Sequence, residues 1–165
     1  MYIFEGKSVF EGVAVGKLKV FRHKSRDISD GAGEGAEKEE EKFKNARRKA
    51  VSILRKLCDE AMENIGSSSA EIFEMHIMMT EDLDFEDAVM AKIAEGVNAA
   101  YAVEHAGFEL SQIFSRMDDE YMKARAVDVL DVANRICDCI LGTEGDGISR
   151  LTLEKCGLAA SDENR

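Results

Sequence analysis

The residues of this chain with obvious chemical capacity are three histidines, four cysteines and an excess of carboxylates. His23 falls in a polar stretch, His76 in an apolar helical pattern and His105 beside Glu104 in another. A histidine that accepts a phosphoryl group needs donors for the transferred charge, usually backbone N–H groups of a glycine-rich turn or a nearby arginine. None of the three has that setting in sequence, so His76 reads as a residue that packs or orients a helix. A di-metal carboxylate site would need Glu-x-x-His on two helices. Glu74 stands only two residues before His76, and Ala102 occupies the place before His105. Cys137 and Cys139 are spaced C-x-C within a helical pattern, so they point to different faces and are poor zinc partners. With Cys58 and Cys156 they read as free thiols of a reducing compartment.

What remains is recognition chemistry, and it concentrates in Ser67 to Phe85. Ser68 and Glu71 have the spacing of a capping box. Ile72, Phe73, His76 and Ile77 recur at helical spacing and predict one apolar face, which Met75, Met78 and Met79 widen. Thr80-Glu81-Asp82 stops the helix, and Asp84 is placed to cap the next one. Met78, Met79, Phe85, Tyr121 and Met122 are the candidate docking residues, with Glu74, Asp82, Asp84 and Arg125 as a charged rim. Methionine surfaces suit adaptable, transient docking, and aromatic anchors ringed by charge suit a modest interface. Periodicity alone leaves open whether these five apolar residues are interface or core.

The elements that must position them are helical. Ala36 to Ile65 predicts a helix of about 45 Å, with Phe43, Ala46, Ala50, Ile53, Leu54, Leu57, Cys58, Ala61 and Ile65 as its stripe. Its acidic start, Glu37, Glu39, Glu40 and Glu41, reads as a solvated helix beginning, and Arg47, Arg48, Lys49, Arg55 and Lys56 as an outer face. Further helices are predicted from Phe85 to Glu95, from Ala99 to Arg116 behind an Asn98 cap, and from Asp119 to Leu141 behind an Asp118 cap. The inward stripe of the Ala99 helix is read as Val103, Ala106, Phe108 or Leu110, Ile113, Phe114 and Met117. That of the last helix is read as Ala124, Val127, Leu130, Ala133, Ile136, Cys137 and Ile140. Gly66, Gly96 and Gly142 are the stops. The expected fold is mainly α, an antiparallel bundle of two helical hairpins over residues 35–142. A short β-strand pair is expected in residues 1–22, and a linker or return segment in 143–165.

The 165 residues include no proline, which suits uninterrupted helices, and 33% charged against 45% hydrophobic residues, which suits an ordered protein. The formal net charge of -11 disfavours nucleic acid and anionic membranes and favours a basic partner. No apolar run near Met1 is long enough for a signal peptide, and none elsewhere reaches transmembrane length, so a cytoplasmic location is expected.

Two motifs carry a resemblance. Ile72-Phe73-Glu74-x-His76-Ile77-Met78-x-x-Glu81-Asp82 resembles a segment of the N-terminal region of enzyme I of the bacterial phosphotransferase system, the phosphoenolpyruvate–protein phosphotransferase. Met117-Asp118-Asp119-Glu120-Tyr121-Met122-Lys123-x-Arg125-Ala126-x-Asp128-Val129 is similar to a second segment, which runs on to Ile140-Leu141-Gly142. Gly12-Val13-Ala14-Val15-Gly16-Lys17 resembles the family's opening, with Phe10-Glu11 where Ser-Pro is expected. Ser67 and Ser68 stand where the family often has acids, and Phe85 where it often has leucine. The resemblance implies a helical subdomain, inserted in an incomplete α/β phosphohistidine domain, that docks the phosphocarrier protein HPr. It places the candidate residues at the docking surface. It implies no cofactor in this stretch, Mg²⁺ and phosphoenolpyruvate chemistry in regions beyond it, and a homodimer formed through those regions. No glycine-rich Ser-His motif of the kind that carries the family's phosphorylated histidine is present. The alternative is a non-catalytic helical adaptor or oligomerisation module.

Overall fold

The computed structural model describes residues 17–22, 28, 31–143 and 156–161. The chain divides into two units, one spanning Asp27–Asp146 and the other joining Met1–Arg26 to Gly147–Arg165.

The first unit is helical: α1 (Ala36–Asn64), α2 (Ser67–Thr80), α3 (Leu83–Ala94), α4 (Ala99–Ser115) and α5 (Glu120–Leu141). Helices α1 and α2 form one hairpin and α4 and α5 the other, with short α3 packed on α4 and α1. The core is drawn from four of the five: Phe43, Ala46 and Ala50 of α1; Phe85, Val89 and Ile93 of α3; Ala102, Val103 and Ala106 of α4; and Val132, Ala133, Ile136 and Cys137 of α5. Helix α2 buries only Ala70, His76 and Thr80 and lies at the bundle edge against α1 and α5.

The second unit's described part is a parallel strand pair. β1 (Lys17–Arg22) pairs with β2 (Cys156–Ser161), Lys17 opposite Cys156 and Arg22 opposite Ser161. Parallel neighbours cannot be joined by a hairpin turn, and here the connection contains all five helices. The strand found in the 1–22 stretch thus has its partner in the 143–165 stretch. Residues 1–16, which hold the rest of the expected N-terminal strand pair, lie outside the described residues, as does His23.

Several local expectations are corrected. The Ser68–Glu71 capping box does not form. Gly66 is the N-cap of α2 at φ 118°, a conformation open to glycine, so the helix begins at Ser67 and Ser68 already lies in its first turn. Helix α3 is capped by Asp82, not Asp84, and α5 by Asp119, not Asp118. Asn98 caps α4, accepting from the Tyr101 N–H at 2.9 Å, and Gly142 ends α5 in the left-handed conformation.

The face read for α5 drifts at its N-terminal half. Val127 is exposed, while Ala126, Val129 and Val132 are buried. Successive steps of three residues precess by about 60° each on a 3.6-residue helix, so Ala124, Val127 and Leu130 rotate away from the true seam. On α4, Phe108 and Ile113 are exposed, while the buried face is built mostly of small residues, Ala99, Ala100, Ala102, Ala106, Gly107 and Ser111, of which Ala100 and Gly107 meet α5 at Cys137 and Ala133. On α2, Ile72 is exposed as well.

That small-residue face gives a first prediction. A Cβ built on Gly107 would lie 2.4 Å from the Cβ of Ala133, with the Phe85 ring beyond. Gly107→Ala should therefore destabilise the helical unit by about 1–3 kcal/mol through overpacking, although helix propensity alone would favour alanine by about 1 kcal/mol. A thermal midpoint equal to or above the wild type's would refute the close approach.

The acidic start of α1 is also not simply solvated. Glu37 and Glu41 are exposed, but Glu39 is 2% exposed. Its Oε2 accepts from the Ala99 N–H at 2.8 Å, and its Oε1 from the Glu34 N–H at 3.0 Å and Lys42 Nζ at 2.9 Å. A carboxylate from α1 thus sits on the first N–H of α4, where the helix end favours negative charge. Burial alone would raise the Glu39 carboxyl. The hydrogen bonds from Lys42, Ala99 and Glu34, with the charge of Lys42, outweigh it and hold the carboxyl below its usual range.

Candidate functional site

The candidate residues lie on the end of α2, the start of α3 and the start of α5. Met78, in the last turn of α2, is 73% exposed, and Tyr121, in the first turn of α5, is 61% exposed. Met79 is half-buried and packs against the core, and Met122 is half-buried. Glu74, Asp82 and Asp84 are exposed. Phe85 does not belong with them. It is 4% exposed, packed in the core near Gly107, because α3 turns its first aromatic residue inward onto α4. In its place the corner presents Leu83, 70% exposed, which sequence reading passed over. The signal was available: Leu83 and Phe85 are two apart, so on a helix they cannot share a face.

A polar chain joins the two motif-bearing helices. Buried His76 on α2 points Nε2 at the Asp128 carboxylate of α5, 3.5 Å away. The other oxygen of Asp128 accepts from Arg125 Nη1 at 2.9 Å. Arg125 Nη2 donates to the Tyr121 hydroxyl at 3.0 Å, and its guanidinium lies 4.5 Å from the centre of the Tyr121 ring. The hydrogen bond to Asp128 raises the Arg125 pKa above its ordinary value, so the guanidinium stays a cation. Asp128 therefore has one oxygen for each helix. It orients Arg125, Arg125 orients exposed Tyr121, and His76 ties the arrangement to the helix carrying Met78. His76 thus packs and orients, and Asp128 is the residue missed among the candidates. Nothing in local sequence marks an aspartate three residues after an arginine as a joint between two helices.

Asp82 is less free than a rim acid would be. Its Oδ1 accepts from the Asp84 N–H at 2.8 Å and the Phe85 N–H at 3.2 Å. Asp82→Ala should therefore cost about 1 kcal/mol of stability by loss of the cap, while Asp82→Asn should keep most of it. Denaturant midpoints decide this; equal losses in the two variants would count against the cap.

Among the described residues no group of three or more His, Cys, Asp or Glu is placed to hold a metal ion. Cys58, Cys137 and Cys139 are present as thiols, and burial, followed by the charges of Glu74 and Asp59, pushes the Cys58 thiol up. No helix among the described residues is long and apolar enough to cross a membrane. What these helix ends expose is a methionine and a leucine at the α2–α3 corner and, at the start of α5, a tyrosine held by an oriented arginine.

A family model described as PEP-utilising enzyme, N-terminal, matches residues 5–125. The chain belongs to the PEP-utilising enzyme family. Within that family its similarity is to the N-terminal region of enzyme I. It is 32% identical over 141 residues to a phosphoenolpyruvate-protein phosphotransferase of Staphylococcus carnosus, covering 85% of this chain and 25% of that protein. The Bacillus subtilis protein of the same description is 28% identical over 145 residues, covering 87% and 25%. The chain thus spans about a quarter of the length of these relatives. The NMR solution structure of Enzyme I (nEIt) matches with a TM-score of 0.68 at 29% identity, over 87% of this chain and 60% of that one. The N-terminal domain of Enzyme 1 - Nitrogen has the same fold, with a TM-score of 0.68 at 17% identity, over 75% and 54%.

Proposed function

We propose that the helical unit docks the phosphocarrier protein HPr, so that the carrier's histidine can receive a phosphoryl group from the phosphohistidine domain of the same enzyme. The unit acts by positioning, converting an encounter between two histidine-bearing proteins into a local transfer. In the whole protein, phosphoenolpyruvate and Mg²⁺ would act in regions beyond this chain, in a cytoplasmic homodimer serving sugar uptake. The described residues of this chain supply no donor set for that metal.

The observation that carries the reading is the joined pair of helix ends. Met78 and Tyr121 are the most exposed large apolar residues quoted in the two motifs, and the His76–Asp128–Arg125 chain ties together the helices that bear them. The net charge of -11 and the exposed Glu74 and Asp84 suit a basic carrier face. Binding should be transient, about micromolar or roughly -8 kcal/mol.

The test is an NMR titration of the labelled chain with HPr of the same organism. Shifts confined to the end of α2, the corner and the start of α5 support the reading. Absence of shifts at about millimolar carrier, or shifts mapping to the outer face of α1, would overturn it. Concentration-dependent self-association through Met78 and Tyr121, with no carrier binding, would favour the adaptor or oligomerisation module.

A further inference from the structure

The α2–α3 corner is held from outside by a residue that belongs to neither helix. Helix α2 ends at Thr80 and α3 starts at Leu83, leaving Glu81 and Asp82 as the connection. The last carbonyls of a helix lack intrahelical partners, and α2 has no basic residue in its last turn to answer them. Arg47, from the middle of α1, supplies the missing donor. Its Nε donates to the Thr80 carbonyl at 2.6 Å, its Nη2 to the Asp82 carbonyl at 3.4 Å, and its Nη1 to the Glu86 carboxylate on α3. About two turns along α1, Arg55 Nη2 reaches Glu81 Oε1 at 3.2 Å. One guanidinium therefore binds the end of α2, the connection and the first turns of α3 together.

We propose that Arg47 is a positioning residue for carrier docking, fixing the corner in the form that presents Met78 and Leu83; this rests on the docking reading above. The side chain reaches the corner from the α1 side. Its hydrogen bonds go to two backbone carbonyls and to Glu86, and to no side chain of the candidate surface, so its influence runs through the backbone it holds. The fork geometry is essential. Three acceptors in different directions are met by a planar guanidinium, and an ammonium at the same place would supply the charge without the simultaneous reach. A role confined to charge or general packing would let lysine substitute.

The experiment uses the full 165-residue chain as wild type, Arg47→Lys and Arg47→Met. Amide exchange is followed at Asp84 and Phe85, whose N–H groups depend on the corner, and along α4 and α5 as reference. Carrier affinity is measured in parallel. Both variants should show corner amides exchanging about tenfold faster and carrier affinity reduced about tenfold, with α4 and α5 protection unchanged. Carrier affinity within about twofold of wild type in the lysine variant would overturn the proposal. So would a loss of protection spread evenly over all helices with affinity falling only in step, since Arg47 would then be merely structural. If Arg47→Met fails to fold, the lysine variant carries both expectations alone. A wild-type chain that does not bind the carrier overturns the docking reading and this inference together. A wild-type chain that binds, with an Arg47 variant binding equally well, overturns this inference only.

Discussion

Replacing Glu39 by alanine should destabilise the helical unit by about 3 kcal/mol, the cost of leaving buried charged and backbone partners unmet. The Ala99 N–H at the start of α4, the Glu34 N–H and the Lys42 ammonium would lose their shared acceptor. Gly33 lies against the same side chain, so close that a Cβ placed on it would be 2.8 Å from Glu39 Cγ, and the loop before α1 would loosen too. Chemical denaturation of the variant gives the number, and a loss under about 1 kcal/mol would mean the hydrogen bonds are replaceable by water. The pH dependence checks the cause. Because the folded carboxyl is held below its usual range, its stabilisation is fully present above about pH 4.3, the unfolded value. It is lost as pH falls through the lower folded value. The gap between wild type and Glu39→Ala should therefore close as the solution is acidified. A gap that widened below about pH 4 would show the carboxyl to be stabilised in its neutral form instead.

Helix number, order and hairpin pairing were legible because they follow from periodicity and stop signals that act within a few residues. The five helices begin and end within a few residues of where glycines, Asn98 and the acidic corner place them. What was not legible is which side chains meet across helices. Large residues such as Phe108, Ile113 and Val127 attract an inward reading, yet all three are exposed. The buried face of α4 is built mostly of small residues, of which Gly107 meets α5 at Ala133. Glu39 read as one acid among four in a solvated run, and only the fold brings the first N–H of α4 to it, 60 residues on. Arg47 likewise read as an outer-face cation. Its acceptors are 33 to 39 residues away, and two of them are backbone carbonyls that carry no sequence signature. At the candidate site the motifs fall on α2 and on the start of α5. The fold then exchanged Phe85 for Leu83 as the exposed apolar residue of the corner and added Asp128 as the joint.

Met78→Glu and Tyr121→Ala should each weaken carrier binding by about 2 kcal/mol or more, roughly thirtyfold, if these side chains form the desolvated centre of the interface. Both are well exposed in the free chain, at 73% and 61%, so Met78→Glu should keep its folding stability within about 0.5 kcal/mol, and Tyr121→Ala, which also gives up its contacts with Arg125, within about 1 kcal/mol. That separation of binding from stability is the diagnostic. Phe85→Asp makes the contrast: it puts a charge into the core and should unfold the unit, which would say nothing about the surface. Asp84→Asn should act differently again. As an exposed rim charge it should lower the association rate and flatten the salt dependence, with less than about 1 kcal/mol lost in affinity. For Tyr121 a milder change isolates the role of Arg125. Tyr121→Phe keeps the ring under the guanidinium but removes the hydroxyl that accepts from Nη2, so Arg125 retains Asp128 and loses one constraint. If the oriented arginine matters to the carrier, this variant should fall between wild type and Tyr121→Ala in affinity. Equal binding by wild type, Met78→Glu and Tyr121→Ala, measured by calorimetry at low salt, would remove these helix ends from the interface.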